Sequence, residues 1–235
     1  VPADCIGPPP RLIVLPRLPS EAGPPPSGGP VSVCQHHCTP TFDGVTTTDL
    51  GERAVSVKGV SVLLDTKCVD DRIHELAVQI AAEETVPPVI LGILNGAAPF
   101  MMALLRALPA DYGQMVDWDF VDASSYQGTT STGQVQVDRM PKLAVVDRPV
   151  LLVDGIIDTG KTVEAVMAHL QQKGARHIRV ATLLDKPSRR QVEVPVDYRG
   201  FLIDDVFVVG CGMDWDQRYR NLPYIGVVDE ATVCP

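Results

Sequence analysis

Apolar and polar residues follow two periodicities from about residue 55 onward, and together they predict helices alternating with buried strands. Within residues 69–84, apolar positions recur every three or four residues, which predicts a helix with one face on a core. These positions are Ile73, Leu76, Ala77, Ile80 and Ala81. We place Asp70 and Asp71 at the start of this helix, where carboxylates favour the helix dipole. Residues 99–108 and 163–173 predict two further helices, the second ended by Gly174.

The continuous apolar run over residues 89–94 predicts a strand that is buried on both faces. Further strands are predicted over residues 115–123, 150–153, 177–184 and 206–209. Strands that alternate with helices indicate an α/β fold with a mainly parallel sheet. Residues 124–137 are small, polar and rich in Ser, Thr and Gly, which predicts a mobile loop.

The first 44 residues have a different composition from the rest of the chain. Eleven of the 21 prolines fall within the first 40 residues, with Gly and Ser between them. Such a segment cannot build a core, so we predict an extended or disordered tail over 1–44 and a folded domain over 45–235.

Inside the tail, Cys34, His36, His37 and Cys38 offer four metal ligands in five residues. Structural zinc needs a second ligand pair at a distance, for which Cys5 and Cys68 are the candidates. We therefore favour incidental cysteines and histidines over a zinc site.

Composition and charge narrow the class of protein. The chain is 45% hydrophobic and 21% charged, as in an ordinary folded domain, and its formal net charge is −9. An acidic protein lacks the basic surface of a nucleic-acid binder, and no apolar run approaches the ~18 residues that span a membrane. Six cysteines without a signal peptide before them predict free thiols in a reducing cytoplasm.

The stretch V-D-G-I-I-D-T-G-K-T, residues 153–162, permits two interpretations. From Gly155 it fits the triphosphate-binding loop G-x-x-x-x-G-K-[ST]. Alternatively, a strand enters a small-residue loop that opens a helix, whose free amides hold a single phosphate. The bulky Ile156 and Ile157 disfavour the first interpretation. The second explains Asp158, a carboxylate placed for proton transfer beside a sugar phosphate.

Several motifs resemble bacterial hypoxanthine (or hypoxanthine-guanine) phosphoribosyltransferases, of the purine phosphoribosyltransferase family. They are G-I-L-N-G at 92–96, A-S-S-Y at 123–126, A-T-L-L-D-K-P-S-R-R at 181–190, F-V-V-G at 207–210, M-D at 213–214 and Q-R-Y-R-N-L-P-Y-I-G-V at 217–227. The resemblance implies a type I phosphoribosyltransferase fold: α/β, with a mainly parallel central sheet flanked by helices, a small hood region and a mobile lid loop.

The resemblance also implies an activity in purine salvage. The 5-phosphoribosyl group of PRPP would pass, with Mg²⁺, to N9 of hypoxanthine or guanine. The products would be IMP or GMP and pyrophosphate, and the enzyme would be a cytoplasmic homodimer or homotetramer. The partners implied are thus PRPP and a 6-oxopurine base, with no nucleic acid and no membrane.

By the same resemblance, each motif receives a role. Asp158 is the catalytic acid or base for the purine N7 proton, and the loop from Asp158 through Thr159, Gly160, Lys161 and Thr162 holds the 5′-phosphate. The purine would contact Lys186 at O6, Phe207 by stacking and Val208 through its backbone. Leu94, Asn95 and Gly96 form the pyrophosphate loop, where a strained or cis peptide presents amides, and Arg220 meets pyrophosphate. Ser125 and Tyr126 belong to the lid. Asp154 and Asp214 would serve the sugar and the magnesium ion.

One departure from the family pattern bears on activity. Gly155 stands where the family usually has a carboxylate. This leaves two alternatives open: a catalytically weakened homologue that binds nucleotide or PRPP, and an NTPase with a triphosphate loop.

Overall fold

The computed structural model describes residues 57–125, 135–139 and 141–229. The predicted tail with its Cys and His cluster lies outside these residues, as does Tyr126 in the predicted lid. Helices and strands occur in the order β1 (Val60–Leu64), α1 (Thr66–Glu83), β2 (Val89–Leu94), α2 (Ala98–Ala107), α3 (Ala110–Gly113), β3 (Asp117–Ser125), β4 (Val135–Arg139), β5 (Pro149–Ile157), α4 (Lys161–Gln172), β6 (His177–Asp185), β7 (Tyr198–Leu202), β8 (Val208–Val209) and β9 (Ile225–Val228).

The larger sheet has the strand order β4-β3-β2-β5-β6-β7. Neighbouring strands from β3 to β7 are parallel, and β4 pairs antiparallel with β3. The predicted mainly parallel sheet is therefore confirmed. The predicted loop over residues 124–137 is wrong at both ends, because residues 124–125 continue β3 and residues 135–137 belong to β4. Val137 pairs with Ala123 and packs on the core.

Helices cover both faces of this sheet. Successive residues of a strand point to opposite faces, so Leu151 joins the core under α1 and α2 while Leu152 joins the core under α4. Both side chains are fully buried. Burial on both faces explains why β2, β5 and β6 have nearly continuous apolar sequences.

Helix α1 begins earlier than its apolar periodicity predicts. Asp65 caps it by accepting a hydrogen bond from the backbone N–H of Cys68 at 2.7 Å. The prediction that Asp70 and Asp71 stand at the helix start is wrong, since Asp65 already satisfies an amide of the first turn.

A smaller antiparallel sheet has the order β1-β9-β8. In this sheet β1, the first strand along the described chain, pairs with β9, the last one, and Val60 lies opposite Val228. The sequence analysis missed β1, β7 and β9, which are four or five residues long. This sheet corresponds to the hood that the family resemblance implies, and its strand β8 brings Val208 to the cleft described below.

Candidate active site

A cleft of about 540 Å³ opens beyond the carboxyl ends of the central parallel strands. Ligands of open α/β sheets bind at this edge, because the loops after the strands converge there. The lining residues are Gly96, Ile156, Asp158, Lys186, Arg189, Asp205, Phe207, Val208, Gly212, Met213, Asp214 and Arg220.

Seven of the predicted site residues line this cleft. They are Gly96, Asp158, Lys186, Phe207, Val208, Asp214 and Arg220. The predicted residues Asp154, Thr159, Gly160, Lys161, Thr162, Leu94 and Asn95 are not among its lining. The side chain of Ser125 and the whole of Tyr126 lie outside the part of the chain that the structure describes. Five lining residues were not predicted as site residues from the sequence, although Arg189 and Met213 lie inside quoted motifs. They are Ile156, Arg189, Asp205, Gly212 and Met213.

Strand β5 runs through the ambiguous motif and settles its local geometry. The strand continues to Ile157, so Gly155 is a strand residue, and Ile156 and Ile157 pair with Leu184 and Asp185 of β6. The loop is confined to residues 158–160, and α4 begins at Lys161. A triphosphate loop needs consecutive loop amides where this chain has strand, so the motif match is coincidental.

The loop leaves the first turn of α4 open to a ligand. Gly160 is the N-cap residue, with φ at +87°, and no side chain caps the helix. The Thr159 hydroxyl accepts from the Lys161 N–H only at a long 3.5 Å. Free amides at a helix N-terminus bind phosphate. Asp158 lies two residues before the N-cap and does not cap the helix.

Asp158 instead faces the cleft in an ion pair. Arg189 donates from Nε to Asp158 Oδ1 at 3.0 Å and from Nη1 to Asp205 Oδ2 at 3.4 Å. All three side chains are between about two-fifths and just over half exposed, so water screens these pairs and each contributes little to stability. Arg189 thus contacts the predicted catalytic carboxylate through an ion pair that is weak enough for a ligand to replace.

Lys186 is buried beside this pair, directly after β6. Its Nζ donates to the Val206 carbonyl at 2.7 Å, and burial lowers its pKa while Asp158 and Asp205 oppose that shift. Nζ has three hydrogens, so it retains donors for a ligand oxygen.

An aromatic platform lies next to Lys186 along the cleft. Phe207 is 46% exposed although it is a large apolar side chain. Trp215 supports it edge-on, with ring centroids 4.8 Å apart. A supported ring with an exposed surface is suited to stacking on a planar ligand.

The predicted metal residue Asp214 and the predicted pyrophosphate residue Arg220 hold each other. Arg220 Nη2 lies 2.8 Å from Asp214 Oδ1, and its Nη1 donates to the Gly212 carbonyl at 2.6 Å. The Gln217 N–H donates to the second Asp214 oxygen at 2.8 Å. Both residues line the cleft, so a ligand bound there can replace either partner of this ion pair.

Asp154 occupies a different environment. It lies in β5, accepts from the Gly155 N–H at 2.8 Å, and burial raises its pKa to about 7. The described residues contain no group of three or more His, Cys, Asp or Glu side chains suited to a metal. Magnesium does not need one, because it is usually held by one or two carboxylates together with substrate phosphates and water. Single carboxylates such as Asp214 and Asp154 fit that mode of binding.

The turn after β2 packs tightly against β5. The Leu94–Asn95 peptide is cis, in the position where the family resemblance predicts a strained or cis peptide. A Cβ added at Gly155 would lie 2.8 Å from the Gly96 carbonyl oxygen, and one at Gly212 would overlap the same oxygen. The absence of side chains at 155 and 212 therefore allows this turn to reach the cleft.

Comparison with known proteins gives consistent results. The chain matches the phosphoribosyl transferase domain family over residues 59–216. It is 37% identical over 172 residues to a hypoxanthine-guanine phosphoribosyltransferase of Bacillus subtilis, a match that covers 72% of this chain and 93% of that protein. A hypoxanthine phosphoribosyltransferase structure from Staphylococcus aureus superposes with a TM-score of 0.66 at 36% identity, covering 72% of this chain and 90% of that one.

A longer relative also matches. The bifunctional protein TilS/HprT of Listeria monocytogenes is 39% identical over 169 residues, but the match spans only 26% of that protein's length. No helix in the described residues has both the length and the apolar character to cross a membrane.

The fold, the cleft and these matches define a type I phosphoribosyltransferase, and the chain belongs to the phosphoribosyl transferase domain family. Its relatives within that family include bacterial hypoxanthine-guanine phosphoribosyltransferases, as the motifs predict.

Proposed function

We propose that this chain transfers the 5-phosphoribosyl group of PRPP to N9 of hypoxanthine or guanine in purine salvage, yielding IMP or GMP and pyrophosphate. One observation carries the proposal: Asp158 and Lys186 directly follow adjacent parallel strands and line the same cleft as Phe207. The uncapped N-terminus of α4, which begins three residues after Asp158 at Lys161, is suited to a phosphate. A purine base and a sugar phosphate therefore find their recognition groups at one edge of the sheet.

The purine is held by three kinds of contact in this proposal. Phe207 stacks on the ring, Lys186 donates to O6 and the Val208 backbone reads the ring edge. A cation that donates to O6 suits a 6-oxo group and suits a 6-amino group poorly. The proposal thus predicts hypoxanthine and guanine as substrates and adenine as a poor one.

The 5′-phosphate is placed at the start of α4. Backbone amides after Asp158 and the hydroxyls of Thr159 and Thr162 donate to its oxygens, with Lys161 nearby in sequence. The helix N-terminus adds a favourable dipole. These contacts fix the ribose so that C1′ faces the base, and positioning of this kind lowers the barrier to a bimolecular reaction.

Group transfer breaks the C1′–O bond to pyrophosphate and forms the C1′–N9 bond. The base loses a proton, which Asp158 takes or relays at N7, so that charge does not build up on the ring. Magnesium bound through Asp214 or Asp154 and the substrate oxygens would neutralise the leaving pyrophosphate. Arg220 and the turn of Leu94, Asn95 and Gly96 would hold that group.

A weakened homologue that only binds PRPP or nucleotide is the second candidate. Gly155 supports it, because the carboxylate that the family usually carries at this position is missing. We also propose that the protein works in the cytoplasm as a homodimer or homotetramer with Ser125 and Tyr126 in a closing lid.

Pyrophosphate release from PRPP, measured with hypoxanthine, guanine, xanthine or adenine and saturating Mg²⁺, tests the proposal. We expect release with hypoxanthine or guanine, and at least about tenfold less with adenine. Binding of PRPP without release would favour the weakened homologue. Equal release with all four bases, or without any base, would contradict the assignment of Lys186.

A further inference from the structure

A buried charge cluster lies behind the phosphate loop, outside the cleft lining. Asp185 ends β6 and is 1% exposed. Arg199 of β7 donates from Nε to Asp185 Oδ2 at 2.7 Å, and Arg190 Nη2 donates to Asp185 Oδ1 over a short distance. Two guanidinium groups thus share one carboxylate, which leaves one net positive charge on the cluster.

Arg190 is the member of this cluster that reaches the phosphate loop. Its side chain is 10% exposed, whereas that of Arg199 is 33% exposed. A Cβ built on Gly160 would lie 3.2 Å from Arg190 Cδ and 3.5 Å from Arg190 Nη1. Among the described residues, Nη1 has no hydrogen-bond partner although it is buried. The guanidinium therefore lies against the loop, and its Nη1 is not bonded to Asp185.

The backbone beyond Arg190 is fastened to the same loop. The N–H groups of Gln191 and Val192 both donate to the Thr159 carbonyl, at 3.0 and 3.1 Å. A Cβ on Gly160 would also lie 2.5 Å from the Val192 carbonyl oxygen. Residues 190–192 thus pack against the loop at Thr159 and Gly160, and Arg190 links this segment to Asp185 at the end of β6.

We propose that Arg190 is a positioning residue for the phosphate subsite: it holds the loop at Thr159 and Gly160 in its binding conformation and places a buried positive charge behind the bound phosphate. The inference rests on the proposed function, since it assigns a phosphate monoester to that loop. A partly neutralised guanidinium in a low-dielectric position acts on a nearby anion more strongly than a solvated one.

Arg199 provides a matched control, because it shares the same carboxylate and, within the part of the chain that the structure describes, has no hydrogen bond or ion pair to the loop. We compare Arg190→Gln with Arg199→Gln by melting temperature, kcat, and KM for PRPP and for hypoxanthine. Both variants should lower the melting temperature, because each removes a partner of buried Asp185. Arg190→Gln should raise KM for PRPP about tenfold with little change in KM for hypoxanthine, and Arg199→Gln should leave both constants within about twofold. Arg190→Lys, which restores the charge, should recover part of the loss.

Equal effects of the two Gln variants on KM for PRPP would overturn the inference, since Arg190 would then serve only to neutralise Asp185. If Arg190→Gln does not fold, Arg190→Lys is measured against Arg199→Lys. A larger rise in KM for PRPP in the Arg190 variant than in the Arg199 variant then supports the inference, and equal values overturn it. If the parent protein does not turn over PRPP, the proposed function fails by itself. Calorimetric titration with inorganic phosphate then decides the present inference: weaker binding by the Arg190 variant than by the Arg199 variant supports it, and equal binding contradicts it.

Discussion

Asp158 is the residue on which the proposed chemistry depends, and its surroundings suit a group that must exchange partners. Its contact with Arg189 is 3.0 Å long but substantially exposed. Exposed ion pairs contribute about 0–1 kcal/mol, so a ligand that bonds to Asp158 displaces Arg189 at little cost. Lys186, by contrast, is buried and bonded to a backbone carbonyl, which fixes its position before a base arrives.

Replacing Asp158 with Asn should lower turnover by about 10²-fold or more, the usual scale of general acid–base catalysis. Binding of the nucleotide product should change much less, because Asn retains the size and hydrogen-bonding capacity of the side chain. Steady-state kinetics and product titration measure the two effects. Asp205→Asn is the control, since it removes the other acidic partner of Arg189. Near-parental turnover of Asp158→Asn would rule out the proton-transfer role.

Asp154 should give the protein a measurable pH dependence of stability. Burial raises its folded-state pKa from 3.8 to about 7. The folded protein therefore keeps this proton over a pH range in which the unfolded chain has lost it, so its contribution to stability declines as pH rises from about 4 to about 7. Asp154→Asn cannot ionise and should be more stable relative to the parent at pH 8 than at pH 5.

Urea unfolding of the parent and of Asp154→Asn at both pH values measures this difference. Addition of Mg²⁺ with PRPP at pH 8 should stabilise the parent more than the variant, because the ionised carboxylate then gains a partner. A stability difference that is the same at pH 5 and pH 8 would show that Asp154 titrates normally.

Strand β5 and the turn after β2 form a pair of elements whose fit depends on Gly155. From the sequence alone, Gly155→Asp is expected to lower the Mg²⁺ requirement by restoring a carboxylate. The structure adds a steric cost, since a Cβ there lies 2.8 Å from the Gly96 carbonyl oxygen and 3.3 Å from Met213 Sδ. Overpacking of this kind typically costs about 1–3 kcal/mol.

Comparison of Gly155→Ala with Gly155→Asp separates the two effects. Both variants should unfold at lower temperature than the parent, because both add the crowding Cβ. Relative to Gly155→Ala, the Asp variant should reach half-maximal rate at a lower Mg²⁺ concentration, since only it adds negative charge near the metal. Identical Mg²⁺ titrations of the two variants would mean that Asp154 and Asp214 already suffice.

The elements that were best predicted from the sequence are those that are buried along most of their length. Strands β2 and β6 are buried on both faces, so their apolar runs are continuous and were recognised. Strands β1, β7 and β9 are only four or five residues long, so their apolar patterns are too short to reveal them. Strands β1 and β9 also pair with each other from opposite ends of the described chain. The strand end of β5 was missed because Asp154 and Gly155 interrupt its apolar run.

The site residues could be predicted only from a different kind of signal. Lys186, Phe207 and Asp214 were identified from motif resemblance, because an isolated Lys, Phe or Asp carries no local signal of function. The contacts of Arg189 and Arg190 depend on how β5, β6 and the segment after β6 come together, and no spacing in the sequence encodes them.

The assembled domain carries its recognition groups at one edge of a sheet whose two faces are both covered by helices. Residues 1–44 lie outside the residues that the structure describes. We predict that deleting 1–44 leaves melting temperature and PRPP turnover nearly unchanged, because the segment has no apolar face to dock. Thermal unfolding and kinetics of the shortened protein check this. A drop in melting temperature of more than about 5 °C would show that the tail is bound to the domain.

The most direct measurement of the central claim is the identity of the product. The protein is incubated with Mg²⁺, hypoxanthine and PRPP labelled with ¹³C in the ribose, and separately with ATP in place of PRPP. We predict that mass spectrometry finds labelled IMP and pyrophosphate in equal amounts from the first mixture, and no base-independent ATP hydrolysis in the second. Labelled ribose found only as ribose 5-phosphate, or ATP hydrolysis without IMP, would contradict the account.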